Sequence, residues 1–252
     1  RPLAQQLNII PDFQPPLLHL ITHFAIQVSR QEWWLRLIGA LLPGLITIAG
    51  IYKLGRKLFK RQTAVIAGLL TATSSFHIFY SQELRPYSLP AMFSVLSWLA
   101  LLNLIKTAPE QNKNSIPALI KHNFPFIVLT TAGLYNSYLY PFLFLSQVIY
   151  VLFFKPKALK SFLTAAIASS LTFIPWLPTF FKQLRAGQRL RSTLPGWENV
   201  VSLTQAKSLP LTFGKFVFGV INLDVNFTFI ALSVLVLVFT IWLFTRFLLI
   251  RN

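Results

Sequence analysis

The stretch WWLRLIGALLPGLITIAGIYKLGRKLFKR, residues 33–61, decides the fold of this chain. Its apolar part, 33–54, is long enough to cross about 30 Å of hydrocarbon as a helix. Pro43 lies inside this run, and we expect it to kink the helix without ending it, because neighbouring helices can satisfy the freed carbonyl. Residues 53–61 contain five cations and no acid. The stretch therefore predicts a membrane-spanning helix that ends in a cytoplasmic turn.

The composition of the whole chain agrees with this interpretation. Of the 252 residues, 54% are hydrophobic and 12% are charged, and the mean hydropathy is +0.60, which indicates lipid as the surrounding solvent. The net charge of +17 does not indicate a nucleic-acid-binding protein, because the cations form short clusters between apolar runs. The absence of cysteine excludes disulfides, thiolate metal sites and thiol nucleophiles.

Apolar runs recur along the chain and predict an all-α polytopic membrane protein. One apolar stretch, 124–154, is too long for a single span and is broken at Tyr140-Pro141, so we expect a helical hairpin there. Residues 1–32 are assigned to the first outer loop, 33–181 to the transmembrane bundle, 182–225 to an outer loop with an interfacial helix, and 226–252 to the last span and its cytoplasmic end. The seven predicted spans are 33–54, 62–80, 87–105, 124–140, 141–154, 161–181 and 226–249.

The orientation of the spans follows from the lysines and arginines in the short connections. The basic clusters at 53–61, 106–121 and 155–160 follow the first, third and fifth predicted spans, so they lie on the same side of the membrane. We expect this side to be cytoplasmic and the first residue to lie outside. An outside start without a signal sequence predicts at least one further span upstream, which implies that the chain is N-terminally truncated. The segment 15–29 is apolar but short, and we expect an amphipathic helix in the outer interface.

The acidic residues are distributed unevenly in this topology. Five of the six are expected on the non-cytoplasmic side, and only Glu110 is expected inside. Acids contribute little to orientation, so topology alone gives no reason for this distribution. The alternative is that outer loops are wet and tolerate acids, and it stays open above all for the two acids in the loop 182–225. The five outer acids are Asp12, Glu32, Glu83, Glu198 and Asp224.

The stretch FYSQELRPY, residues 79–87, places Glu83 and Arg85 in a short turn between two spans. Ionisable groups at this depth are costly, and they usually pair or serve a site. A preceding helix that continued to Glu83 would place Tyr80 on the same face, and Pro86 would redirect Arg85. Such a cluster fits a phosphate bound by a bidentate arginine with tyrosine hydroxyls as further donors. An interfacial ion pair among anchoring tyrosines is an equally good interpretation.

Other polar residues fall near the same ends of the spans. Asp12 precedes the interfacial helix and is typical of an N-terminal cap. Tyr135 and Tyr138 are typical of membrane-interface anchors. Cations in the loop 182–225 oppose the positive-inside tendency, which suggests an anionic headgroup nearby unless a long loop escapes the rule. The four histidines lack metal-ligand spacing, so no metal site is predicted.

Several motifs occur in a familiar order from about residue 11 to residue 178. They are Asp-x-x-Pro-Pro-Leu, Glu-x-x-x-Arg, Leu-Gly-Arg-Lys-Leu-Phe, Tyr-Ser-Gln-Glu-x-Arg-x-Tyr, Gly-Leu-Tyr-x-x-Tyr and Pro-Trp-Leu-Pro. In this order they resemble the bacterial membrane glycosyltransferases of family 39 type, which are relatives of protein O-mannosyltransferases and of lipid A aminoarabinose transferases. The Ser-Gln-Glu-x-Arg-x-Tyr element is the most specific of them.

The resemblance implies a GT-C fold and an inverting transfer of a sugar from a polyprenyl-phosphate donor. The acceptor would be a lipid, glycan or protein on the non-cytoplasmic side of the bacterial inner membrane. The family usually has an Asp-Glu pair shortly after its first span, and this chain begins after that point. In addition, Gln14 stands where the family often has histidine, and Asn136-Ser137 where it has Thr-His. A divalent metal ion is thus compatible with the family but is not supported by the sequence.

The resemblance also implies roles for particular residues. A carboxylate takes the acceptor proton, and the candidates within this chain are Asp12 and Glu83. Cations stabilise the charge on the leaving phosphate. The expected phosphate-binding residues are Arg85, Tyr87, Arg189 and Arg191. The residues expected to line the substrate site are Gln14, Tyr80, Gln82, Tyr135 and Tyr138.

A protein from another class is the alternative: a non-catalytic or degenerate relative that binds or moves lipid-linked sugars. Transporters have polar or broken helices at mid-membrane, often in pseudo-symmetric halves. Here the mid-span positions are mostly apolar and the polar residues gather at one end of the spans. This distribution favours the enzyme.

Overall fold

The structure is a computed structural model that describes residues 14–111, 115–193, 231, 234–242 and 245–246, without the side chains of 109–111 and 188–193. These residues form helices and short turns with no strand among them, which confirms the all-α class. Most of the predicted loop 182–225 and part of the last predicted span lie outside the described residues. The helices of the bundle are α1 (Leu17–Val28), α2 (Glu32–Leu58), α3 (Arg61–Thr73), α4 (Ser75–Tyr80), α5 (Ser88–Gln111), α6 (Ile116–His122), α7 (Phe124–Leu134), α8 (Tyr140–Phe154), α9 (Leu159–Phe173) and α10 (Leu177–Thr193).

Three helical stretches of the described chain are long and apolar enough to cross a membrane: Glu32–Leu58, Ser88–Ala108 and Pro156–Gly187. The helices α1, α7 and α8 are apolar but shorter. Large apolar side chains point away from the bundle, and Phe142 and Phe153 are 72% and 76% exposed. Such a surface is costly in water but not in hydrocarbon. The chain is therefore an integral membrane protein, and its seven spans stay a prediction.

The helix α2 is continuous through Pro43, as the sequence predicts, but it changes to a π-helical turn at Leu37–Leu41. Within this turn the N–H of Leu42 donates to the carbonyl of Leu37, five residues earlier. Proline has no N–H and its ring crowds the carbonyl four residues before it. The π-helical turn shifts the hydrogen-bond register just before the proline, so that the helix continues.

The stretch predicted as one span, 62–80, contains two helices. Ser74 has an extended backbone and separates α3 from α4. Its hydroxyl accepts a hydrogen bond from the backbone N–H of His77 at 3.4 Å. Serine is a preferred N-cap residue because its oxygen satisfies a free N–H of the first helical turn. The apolar character of the stretch is continuous, but the helix is not.

The predicted hairpin breaks a few residues earlier than expected. The helix α7 ends at Leu134, and α8 begins at Tyr140 with Pro141 in its first turn, where a missing N–H has no cost. The predicted span 161–181 likewise contains a short 3₁₀ turn, Ile174–Trp176, between α9 and α10.

Hydrogen bonds between helices bring the predicted cytoplasmic connections to one end of the bundle. The ammonium of Lys57 donates to the Asn103 side-chain carbonyl, which joins the end of α2 to α5. Asn123 donates to the Ser161 hydroxyl at 2.7 Å, which joins the starts of α7 and α9. We call this the basic end, and we call the opposite end, which contains the turn 81–87, the turn end. The membrane face that each end meets stays a prediction.

The apolar core lies in the basic half of the bundle, between α5, α7, α8 and α9. The buried rings of Phe126 and Phe162 lie there with centroids 5.8 Å apart. Towards the middle of the bundle, the buried amide of Gln147 donates to the hydroxyl of Ser97 at 3.0 Å. Polar contacts of this kind stabilise helix pairs in lipid, because hydrocarbon offers these groups no other partner.

The hairpin of α7 and α8 depends on a close contact at Gly133. A Cβ atom there would overlap the ring of Tyr140, which is 3% exposed, and would lie 2.6 Å from its Cδ2. Gly68 in α3 offers a comparison, because a Cβ there would meet only the Cβ of Tyr52, at an ordinary 3.6 Å.

We expect Gly133→Ala to lower the free energy of unfolding by about 1–3 kcal/mol, because the added methyl must displace a buried ring. Gly68→Ala is the matched control, and it should be neutral or stabilising by up to ~1 kcal/mol through helix propensity. Thermal unfolding of the purified protein in detergent measures both. Equal midpoints for the two variants would contradict the packing at Gly133.

Candidate active site

The turn 81–87 connects α4 to α5 and has an unusual backbone. The N–H of Arg85 donates to the carbonyl of Glu83 at 2.7 Å, and the N–H of Tyr87 donates to the carbonyl of Arg85 at 2.8 Å. Hydrogen bonds between residues two apart define γ-turns, so two γ-turns follow each other here. The helix α4 ends at Tyr80. The helix therefore does not continue to Glu83, and the prediction that such a continuation places Tyr80 and Glu83 on one helix face is wrong.

Contacts with α2 hold the turn in place. Arg36 Nη1 donates to the carbonyl of Gln82 at 3.0 Å. Leu84 packs on Gly39, where a Cβ atom would overlap the Leu84 side chain. The missing side chain at position 39 thus makes room for a leucine of the turn.

Both ends of the turn are also anchored, one by packing on α2 and the other by a hydrogen bond. Ser81 is buried against Gly44, where a Cβ atom would lie 2.8 Å from the Ser81 Cβ. The hydroxyl of Ser88 donates to the carbonyl of Tyr80 at 2.8 Å, which ties the start of α5 to the end of α4. The backbone between these two anchors is short, so contacts with α2, α4 and α5 restrict its path.

Glu83, Arg85 and Tyr87 form the charged part of the turn. Arg85 Nε lies 4.0 Å from Glu83 Oε2, and the two side chains are 67% and 37% exposed. A side-chain hydrogen bond with Tyr87 and electrostatic attraction to that residue raise the pKa of Arg85. Electrostatic attraction to Glu83 raises this pKa further. The guanidinium therefore stays protonated across the physiological pH range. An exposed ion pair at this distance contributes little stability, so its cation is available for an anionic ligand.

A cavity of about 370 Å³ opens beside the turn. The rings of Tyr80 and Tyr87 meet edge to face in its wall, with centroids 4.5 Å apart. Its walls combine hydroxyl groups with apolar side chains, which suits a ligand with a polar and an apolar part. The lining residues that carry a hydroxyl group are Tyr80, Tyr87, Ser88, Ser94, Ser137 and Tyr140, and the hydroxyl of Tyr140 is itself buried.

A second group of predicted site residues lies at the turn end but is not among the residues that line this cavity. Gln183 of α10 connects them, because its amide donates to the Gln14 carbonyl at 3.3 Å and its side-chain oxygen accepts from the Tyr138 hydroxyl. Trp176 Nε1 donates to the same hydroxyl at 3.0 Å. These bonds fasten the segment before α1 to the bundle.

Tyr135 also joins parts of the bundle and is not among the residues that line the cavity. Its carbonyl accepts from the N–H of Leu17 at 3.0 Å, and its hydroxyl donates to the carbonyl of Thr172 at 2.7 Å. The structure thus brings Tyr80 and Tyr87 to the cavity, whereas Tyr135, like the second group, joins helices to one another.

The remaining predicted residues differ in how far the structure describes them. Gln82 contributes its carbonyl to the contact with Arg36. Asp12 lies outside the described residues, as do Glu198 and Asp224, and the side chains of Glu110, Arg189 and Arg191 are likewise not among those described. In the described part of the chain, no group of three acids or histidines is placed to hold a metal ion.

Arg36 and His77 belong to the site but were not predicted as site residues. Arg36 Nε donates to Glu32 Oε1 at 2.9 Å while its Nη1 contacts the turn. The i,i+4 spacing of Glu32 and Arg36 is visible in the sequence, but the contact between Arg36 and Gln82 is not. His77 lines the cavity, and its Nε2 lies 3.1 Å from the carbonyl of Gly44.

These features define a helical integral membrane protein with an arginine–tyrosine site at one end of its bundle. Residues 13–179 match the model of the family described as dolichyl-phosphate-mannose-protein mannosyltransferase, so the chain belongs to that family. It is a membrane glycosyltransferase of the kind that uses a lipid-linked sugar donor and a glycan or protein acceptor. No curated protein and no solved structure matches the chain. The matched region includes the whole turn 81–87.

We expect Arg36→Ala to reduce sugar transfer by up to about 100-fold, because loss of the bond to Gln82 lets the turn move and misplacement by about 1 Å has an effect of that size. Glu32→Ala is the matched control, since it removes the partner of Arg36 but leaves the bond to the turn. Release of polyprenyl phosphate from polyprenyl-phosphate mannose in native membranes measures both. Unchanged release by Arg36→Ala would show that the turn does not depend on Arg36.

Proposed function

We propose that this chain transfers a sugar from a polyprenyl-phosphate donor to an acceptor hydroxyl, with inversion, at the turn end of the bundle. The observation that supports the proposal is the exposed guanidinium of Arg85, held beside Tyr87 next to a cavity lined by tyrosines, serines and apolar residues. The turn end is proposed to face the non-cytoplasmic side of the bacterial inner membrane. The cations at the opposite end favour this orientation.

The donor phosphate is assigned to Arg85 and Tyr87. A guanidinium presents parallel N–H groups that match two phosphate oxygens, and a tyrosine hydroxyl beside it supplies a further donor. The turn lies at the end of the bundle, and a helix that crosses the membrane has its ends at the level of the lipid headgroups. The volume of the adjacent cavity suits the sugar or the first part of the isoprenoid. Arg189 and Arg191, near the end of α10, are proposed to assist.

The reaction proposed here is a single displacement. The acceptor oxygen forms a bond to the anomeric carbon while the bond from that carbon to the phosphate oxygen breaks, and its electron pair leaves with the polyprenyl phosphate. A carboxylate takes the acceptor proton. The departing phosphate has a second pKa of about 6, so it leaves without a general acid. Its developing charge is stabilised by Arg85 and Tyr87.

Glu83 and Asp12 are the proposed candidates for the base. Glu83 is favoured by its position, since it lies within 4.0 Å of the cation assigned to the donor phosphate. A phosphate bound to Arg85 competes with Glu83 for the guanidinium. Donor binding would thus free the carboxylate at the moment when the acceptor hydroxyl needs a base.

We expect Arg85→Ala to reduce kcat/KM for sugar transfer by about 10²–10³, the effect of removing one donor to a developing oxyanion. Arg85→Lys should be intermediate, because lysine keeps the charge but not the bidentate geometry. Arg30→Ala is the control, since it removes an exposed arginine from the connection between α1 and α2. Transfer from polyprenyl-phosphate mannose is the measurement, and unchanged transfer by Arg85→Ala would refute the assignment.

We expect Glu83→Gln to reduce single-turnover transfer by about 10²–10⁴, the usual contribution of a general base. Donor binding should persist, because the competitor for Arg85 loses its charge. Asp12→Asn tested in parallel identifies the base, and a loss confined to that variant would assign the role to Asp12. If the wild type binds the donor without any turnover, the chain is a non-catalytic binder.

A further inference from the structure

The basic end contains a second cavity that the proposed function does not use. It has a volume of about 660 Å³ and opens between α2, α3 and α5. None of the described residues that line it is acidic. Its charged wall is formed by Lys53, Arg56 and Lys57 of α2 and by Arg61 of α3, and α5 adds Leu99 and Asn103.

A close approach of two helices concentrates these cations. A Cβ atom at Gly55 would lie 2.9 Å from the backbone Cα of Ala64, so α2 and α3 are nearly in contact beside the cavity. Small residues permit such contacts between membrane helices. The approach brings the end of α2 beside the start of α3, so that Lys53, Arg56, Lys57 and Arg61 line one cavity. Like charges gathered around one cavity repel one another. An anion between them removes that repulsion.

The cations lack acidic partners in the described part of the chain. Lys57 donates to the side-chain carbonyl of Asn103, a neutral group, and the ion pairs of the described residues do not include Lys53, Arg56 or Arg61. All four cations are exposed. An incoming anion therefore does not have to displace a carboxylate.

We propose that this cavity binds the phosphate headgroup of an anionic glycerophospholipid. Basic pockets between membrane helices are suited to such headgroups. Tyr52 and Leu99, which share the wall with the cations, provide a partly apolar surface for the upper part of an acyl chain. Topology alone does not explain the arrangement, because the lysines at 155–160 satisfy the positive-inside rule without lining this cavity. The proposal does not rest on the glycosyltransferase mechanism.

The test measures binding of dioctanoyl phosphatidylglycerol to the purified full chain in neutral detergent. Removing three cations with Lys53→Gln, Arg56→Gln and Lys57→Gln together should weaken binding about a hundredfold, since each cation near a membrane surface contributes about a factor of five. The control removes three cations from another connection at the same end, with Lys155→Gln, Lys157→Gln and Lys160→Gln. Only a small loss is expected there, and an equal loss in both variants would overturn the proposal.

Three further ligands identify the source of the phosphate. Dioctanoyl phosphatidylcholine should bind much more weakly than phosphatidylglycerol, because its headgroup has no net charge. Inorganic phosphate should not compete at equal concentration, since it lacks the acyl chains. If it does compete, or if a polyprenyl phosphate binds more tightly than phosphatidylglycerol, the assignment to a glycerophospholipid is wrong.

A second variant tests the cavity without changing any charge, since loss of lysines and arginines can also alter membrane orientation. Leu99→Trp fills the cavity and should weaken binding of phosphatidylglycerol several-fold. Leu70→Trp is the matched control, because Leu70 is 66% exposed on α3 and does not line the cavity. Equal affinities of the two tryptophan variants would overturn the proposal.

Discussion

The close approach of neighbouring elements to the glycines of α2 is the constraint on which the rest of the structure depends. Gly39 and Gly50 are eleven residues apart, as are Gly44 and Gly55, a spacing of about three helical turns. Gly39 and Gly44 contact the turn 81–87. Gly50 contacts α5, and Gly55 contacts α3. In lipid the hydrophobic effect does not drive helices together, so close packing through small residues has that role. Both the candidate active site and the basic cavity are built on this helix.

The two ends of the bundle use their cations differently. At the turn end, Arg85 lies beside an acid and a tyrosine in a backbone fixed by two γ-turns, which is a geometry for orienting one ligand. At the basic end, four cations from two helices surround an open cavity with no acid in its described wall. The first arrangement is suited to chemistry on a phosphate, and the second to holding a lipid in place. Orientation in the membrane requires only that the cations gather at one end.

The helices themselves were predictable from hydropathy, and so was the break between α7 and α8, where Pro141 marks it to within a few residues. Other interruptions were not predictable. The runs at 33–54 and 87–105 correspond to α2 and α5, because a long apolar segment in lipid must satisfy its backbone internally. The break at Ser74 and the π-helical turn before Pro43 depend on hydrogen bonds of single residues, which leave hydropathy unchanged.

The sequence by itself determined the membrane class, the common end of the basic connections and the local order of Glu83, Arg85 and Tyr87, because hydropathy, charge and spacing are properties of neighbouring residues. Only the tertiary structure decided that Arg36 holds Gln82, 46 positions away. It also decided that residues of the segments 76–94 and 137–143 line one cavity. It also separated the tyrosines that face the cavity from those that join helices. Such contacts depend on how closely two helices approach and at what register, and that is set by the fit of many side chains at once.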